Sequence, residues 1–325
     1  TGSIRSSGNR VRVSVELLAA ENGDVLWKER YDREIEDLFD VQDDIVRRVM
    51  SPLVGEIELS TLNRAERKPT ENLNSYEYLL KGKVFHHKYK KETHPTALEF
   101  FNKAIELDPN NGAAYAWKAC TIGGGISRGF FKDSEDISKS DVLDCINKAL
   151  EINQNDFECY RMLCRVHLTI YGDHKKAIEF GKKAVELNPN DPRILWAYGT
   201  ALALSGTGKE SLENLLKSYG LSPKIGVEGS IDNIISSIIV GYYISGDYKN
   251  VIDWFEKLEK KDFRSYVLCI SSMITVGMDI HFLEMFQTQY SQIDYRSEIE
   301  LFQFKDPKIT TLLIDLVSGY IPERC

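Results

Sequence analysis

Residues 192–225 read PRILWAYGTALALSGTGKESLENLLKSYGLSPKI, and the fold follows from them. Leu195, Tyr198, Gly199 and Leu202 recur at helical spacing, Ser211 and Leu215 stand four apart in a second segment, and Pro223 closes the unit. Small residues fall where two helices must touch, so the stretch predicts a helix-turn-helix unit of 34 residues. Working outward, Ala104–Asn110 (AIELDPN) returns as Ala149–Asn155 (ALEINQN) and again as Ala184–Asn190 (AVELNPN). A unit this short cannot bury its apolar face alone, so the repetition implies stacking.

The pass along the chain yields about six such hairpins. Repeat 1 has Tyr78, Gly82 and Phe85, then Ala97, Phe101, Ala104 and Pro109. Repeat 2 opens at Tyr115 and Ala119 and closes at Ala149, with an insertion read as running from Gly123-Gly124-Gly125 to Ser138. Repeat 3 has Tyr160, Leu163, Cys164, Ala177, Ala184 and Pro189, and repeat 4 is the opening stretch. Repeats 5 and 6 keep Gly246 and Gly277 at their turns, with Val251/Phe255 and Phe282/Phe286 four apart. Asp306, Pro307, Gly319 and Pro322 punctuate a final capping helix. The spacings W-x2-L-G-x2-Y and A-x3-F mark a resemblance to the tetratricopeptide repeat. The expected fold is mostly α, an α-α superhelix over residues 71–325.

Ahead of the repeats, Val11, Val13, Val15 and Leu17 alternate with Arg10, Arg12, Ser14 and Glu16, as in a half-buried strand. Glu21-Asn22-Gly23-Asp24 turns the chain, and Val25, Trp27 and Tyr31 return it, giving a β-hairpin. An amphipathic helix is expected from about Asp37 to Leu62, and residues 64–70 form a linker. Residues 1–63 are thus a partial α/β domain, too small to bury a core by itself. The chain begins without Met and reads as a piece of something longer.

Several motifs here carry a second resemblance: Gly2–Arg5, Asn9–Val13, Gly23–Asp32 (GDVLWKERYD) and Phe39–Asp43. They look like the second half of the TolB-amino-terminal-like (FlgO-like) domain. That domain stands between an effector and a tetratricopeptide array in many class III adenylate/guanylate cyclases. It also occurs in winged-helix transcriptional regulators of the CadC kind. Phe304–Pro307, Leu312–Gly319 and Ile321–Glu323 look like the closing segment of the cyclase-associated arrays. The resemblance implies a regulatory module controlling a nucleotide cyclase, or else the sensory half of a transcription regulator.

The net charge of −8 argues against nucleic-acid and membrane surfaces as partners of this chain. The six cysteines form no C-x-x-C pair, which suggests a reducing, cytoplasmic setting. Residues 205–211 (SGTGKES) resemble a phosphate-binding loop, but Ala203 and Glu210 occupy positions that need Gly and Ser or Thr, so an inter-helix turn is the better reading. Gly123–Gly125 beside Arg128 could cradle a phosphate, but no strand precedes them, and a flexible helix end leading into an inserted loop is the better reading. His86, His87 and His94 cluster, but adjacent histidines point apart on a helix. Cys164 sits at a packing position. With no nucleophile placed beside a base, we expect a non-catalytic chain without cofactor or metal.

The tetratricopeptide resemblance implies a concave groove lined by the first helix of each repeat. Repeat 1 then offers Tyr76, Lys83, His86 and His87, and repeat 2 offers Trp117 and Cys120. Repeat 3 offers Arg161, Met162, Arg165 and Thr169, and repeat 4 Arg193, Trp196, Thr200 and Leu204. Lys83, His86, Trp117, Arg161, Arg165, Arg193, Trp196 and Thr200 are the candidate partner-binding residues. Arginine could grip an acidic peptide or exposed carboxylate in bidentate fashion. The alternatives are a merely solvated face, or a groove filled by the chain's own C-terminal helix or by the rest of its own polypeptide. A truncated sheet edge would also invite homodimer formation.

Overall fold

The alternation of Arg10–Leu17 becomes the middle strand of a three-stranded antiparallel sheet in a computed structural model. Its strands are β1 (Gly2–Ser7), β2 (Arg10–Leu18) and β3 (Val25–Glu34), in the order β1-β2-β3. The described residues are 1–19, 22–34, 61, 73–88, 90–127, 129–131, 137–222 and 230–320. The register puts Ile4 and Tyr31 beside Val13 on an apolar face. Arg10 meets Glu34, Arg12 meets Asp32, and Glu16 meets Lys28 on the other. The hydrogen bond from Arg12 holds the Asp32 carboxyl below its ordinary range. The expected hairpin therefore gains a strand: β1 is polar apart from Ile4 and carries no alternation to betray it. Of the helix expected over 37–62, Thr61 alone is described and is helical; the 64–70 linker lies outside the described residues.

The chain divides into two compact units, residues 1–114 and 115–325. In the first, α1 (Ser75–His86) and α2 (Thr93–Leu107) form a hairpin. Asn74 and Glu77 close a reciprocal capping box at the start of α1, which satisfies two amide donors. A methyl group on Gly82 would lie 2.4 Å from Phe101 Cε1, so α1 and α2 meet where the repeat pattern has a small residue opposite an aromatic one.

Next come α3 (Gly112–Ser127), α4 (Lys139–Ile152), α5 (Phe157–Thr169), α6 (His174–Leu187), α7 (Pro192–Leu204) and α8 (Gly208–Leu221). They are followed by α9 (Ser230–Ile244), α10 (Tyr248–Phe255), α11 (Phe263–Val276) and α12 (Leu283–Gln289). Short α13 (Tyr295–Glu300) and α14 (Pro307–Ser318) close the described chain. Asp156, Asp173, Asp191, Asp247, Asp262 and Asp306 each cap a helix by accepting from a backbone N–H, worth about 1 kcal/mol apiece. The spacing in 192–225 finds its reason here. A Cβ on Gly199 would lie 2.7 Å from Leu215 Cγ, and Ser211 donates to the Gly199 carbonyl at 2.8 Å. Leu215 and Phe255 are fully enclosed, each contributing about 1.5–3 kcal/mol of apolar burial. Gly246 and Gly277, both at φ +73°, make the left-handed turns that end α9 and α11.

Two expectations change. Gly123–Gly125 do not open the inserted loop but lie inside α3, where Gly123 gives room to Ile170 and Gly125 to the ring of Phe131. The insertion begins after the helix, and glycine is there for close approach rather than for flexibility. Second, α13 intervenes before the capping helix; at six residues it is too short for its pattern to stand out. α14 then packs on α11, with Leu313, Ile314 and Val317 in the core.

Candidate functional site

The first helices of successive hairpins, α5, α7, α9 and α11, pack side by side. Their spacing places Arg161, Arg165 and Thr169 along α5, and Arg193, Trp196, Thr200 and Leu204 along α7, as helical stripes. Lys83 and His86 belong to α1 in the first unit and Trp117 to α3, so the site is built from residues of the second unit alone.

Arginine at 161 and 193 is already engaged. Arg161 is 3% exposed and donates to Glu158 Oε2 at 2.6 Å, with its guanidinium 5.6 Å above the Trp117 ring. Arg193 reaches Glu158 Oε1 at 2.6 Å and Asp191 Oδ2 at 2.6 Å. Glu158 thus bridges an arginine from each of α5 and α7. Burial works against the Asp191 carboxylate, but the charge and hydrogen bond of Arg193 outweigh it and hold the carboxyl below its ordinary range. These two arginines tie the helices together, which leaves them less able to grip an incoming carboxylate.

Arg165 differs. Its guanidinium lies 5.0 Å above the Trp196 ring, and among the described residues it has no ion-pair partner. Trp196 is fixed in turn: its Nε1 donates to Ser237 Oγ on α9 at 2.9 Å. Thr200 Oγ1 donates to the Trp196 carbonyl at 2.7 Å and lies 3.0 Å from Ser237 Oγ. The result is a cation on an aromatic plate whose orientation is set by the next hairpin.

Past the ends of both stripes, the segment between α13 and α14 crosses back. Gln303 Nε2 donates to the Thr169 carbonyl at 2.9 Å, and the Lys305 amide to the Leu204 carbonyl at 2.9 Å.

The remaining candidates resolve as packing. The His86 ring lies 5.3 Å from His87 and 5.7 Å from His94, and no set of three metal-ligating side chains converges among the described residues. Residues 205–207 form the turn between α7 and α8, with Gly206 at φ +92°, and 208–211 are the first turn of α8. Burial pushes the thiols of Cys164 and Cys269 up to about 12, and that of Cys159 higher still. Glu158, Asp191 and Ser237 escaped the sequence reading. Glu158 was findable as a carboxylate three residues before Arg161, and Asp191 as a cap two before Arg193. Ser237 belongs to a degenerate repeat and carries no such signal.

No family model matches the chain. It is 29% identical over 115 residues to a provisionally named adenylate cyclase 3 of Rhizobium meliloti (strain 1021), covering 35% of this chain and 20% of that one. It is 32% identical over 106 residues to the BBSome complex member BBS4 of Mus musculus, covering 33% and 18%. Among solved structures, the APC/C hetero-tetramer Cut9-Hcn1 superimposes with a TM-score of 0.54 at 14% identity, covering 81% of this chain and 45% of that one. The fold is a tetratricopeptide-like stack of helical hairpins. The array spans about a fifth of the length of the curated relatives it matches. No described helix is long and apolar enough to cross a membrane.

Proposed function

We propose that the array is a non-catalytic interaction module that holds a carboxylate-bearing peptide segment on the α5–α7–α9 face. The observation that carries this is Arg165, stacked on Trp196 and with no partner for its guanidinium edge among the described residues, while its two neighbours are paired. A peptide carboxylate would take the guanidinium edge and an adjacent apolar side chain the Trp196 plate. The peptide belongs to a protein partner or to another part of the same polypeptide. The test is titration of a fluorescein-labelled peptide of alternating Glu and Leu. Saturable binding is expected, with Arg165→Ala weakening it at least tenfold and Arg165→Lys less. Equal binding by the parent and Arg165→Ala would sink the reading.

We further place the array in the regulatory arm of a class III nucleotide cyclase; the likeness to the Rhizobium meliloti protein and the TolB-like motifs support this. The winged-helix regulator is the rival reading, because the same N-terminal motifs also resemble that setting. Metal-binding aspartates in the preceding domain would decide for the cyclase, and a short basic winged helix against it.

A further inference from the structure

The two carbonyls that hold the crossing segment belong to Thr169 and Leu204, the last members of the α5 and α7 stripes. We propose that residues 301–306 are a latch, a built-in occupant that closes this end of the groove and opens ahead of the helices it fastens. Its anchors are Phe302 and Phe304, both buried, with the Phe302 ring 6.1 Å from Phe263 at the start of α11. Residues at its margins are exposed, Leu301 at 68%. Between the anchors, Gln303 has φ +62°, a left-handed conformation that non-glycine residues rarely adopt. A strained residue persists where its surroundings over-determine it, and such strain gathers at switching segments. The segment follows two short helices, α12 of seven residues and α13 of six, neither long enough to be stable on its own, and leads into α14. Local openings are drawn from such weakly supported stretches. Thr169 lies one turn beyond Arg165, and its hydroxyl donates to the Arg165 carbonyl at 2.9 Å. A peptide running along the stripes therefore meets the latch directly after Arg165. The part of the inference that concerns peptide rests on the reading given under Proposed function; the opening itself does not.

The experiment is amide hydrogen exchange on the full chain, with and without the Glu-Leu peptide. The expected result is that amides of 302–305 exchange at least tenfold faster than those in the middle of α7. Gln303→Ala, which keeps the strained backbone but removes the bond to Thr169, should speed them about tenfold more and tighten peptide binding several-fold. Exchange of the segment only in step with α7 would overturn the latch and make it a permanent staple. If the segment opens as expected but no variant binds peptide, the latch holds and the Arg165 reading falls. If peptide binds through Arg165 while Gln303→Ala changes neither exchange nor affinity, the latch falls and the Arg165 reading holds.

Discussion

Three arginines on two helices divide by the carboxylates beside them. Arg161→Ala removes a buried partner of Glu158, and stability should drop by up to about 3 kcal/mol, the lower end for a broken buried pair because Glu158 keeps Arg193. Arg165→Ala should change stability by about 1 kcal/mol, the worth of a half-buried cation–π contact. Urea unfolding of both variants separates structural from binding arginines. His167 gives a pH handle. It is 8% exposed, its ring lies 5.5 Å from Tyr171 and 5.2 Å from Phe180, and its Nδ1 finds no hydrogen-bond partner among the described residues. Burial and then Lys176 push its pKa down, opposed by Asp173 and Glu179. The folded state thus binds the proton less readily than the unfolded one. Stability is unaffected well above the unfolded value of 6.5 and is lost as pH falls below it toward the lowered folded value. His167→Phe should flatten the decline in melting temperature between about pH 7 and pH 5. Residue types and the local partners of Arg161 and Arg193 were legible in the sequence at this scale, but the pairing of Glu158 with Arg193 across helices was not. A stripe read as basic and open is basic and half spent, because helical spacing shows which face a residue occupies and not what stands opposite.

At the scale of elements, the A-x3-F and small-residue spacings proved to be contact points. Gly199→Ala would drive a methyl into Leu215, and Gly277→Ala would put a Cβ on a left-handed residue with open space around it. The first should cost about 1–3 kcal/mol through overpacking. The second should cost about 1–2 kcal/mol through backbone strain alone. Calorimetry distinguishes them further, since restoring space with Leu215→Val should rescue the first variant only. Helices with a capping aspartate and an apolar stripe could be read from the chain. β1 and α13 could not: one has a single apolar residue, the other only six positions.

For the whole molecule, the sheet raises the question of self-association. β1 is an edge strand exposed along its length, with Ile4 at 73%. If two copies pair there, light scattering should give a dimer mass that Ile4→Arg reduces to a monomer; a monomer in both would exclude the homodimer. The succession of short helices was legible in the sequence because stacking repeats its demands every unit. The closing segment was not, because its contact joins residues 134 positions apart. The cysteine thiols supply a clock for the array. Cys164 and Cys269 sit in different hairpins with thiols held protonated by burial, whereas Cys120 and Cys145 are half-buried. An alkylating reagent should therefore mark the folded chain in stages, each late label dating the moment its own hairpin came apart.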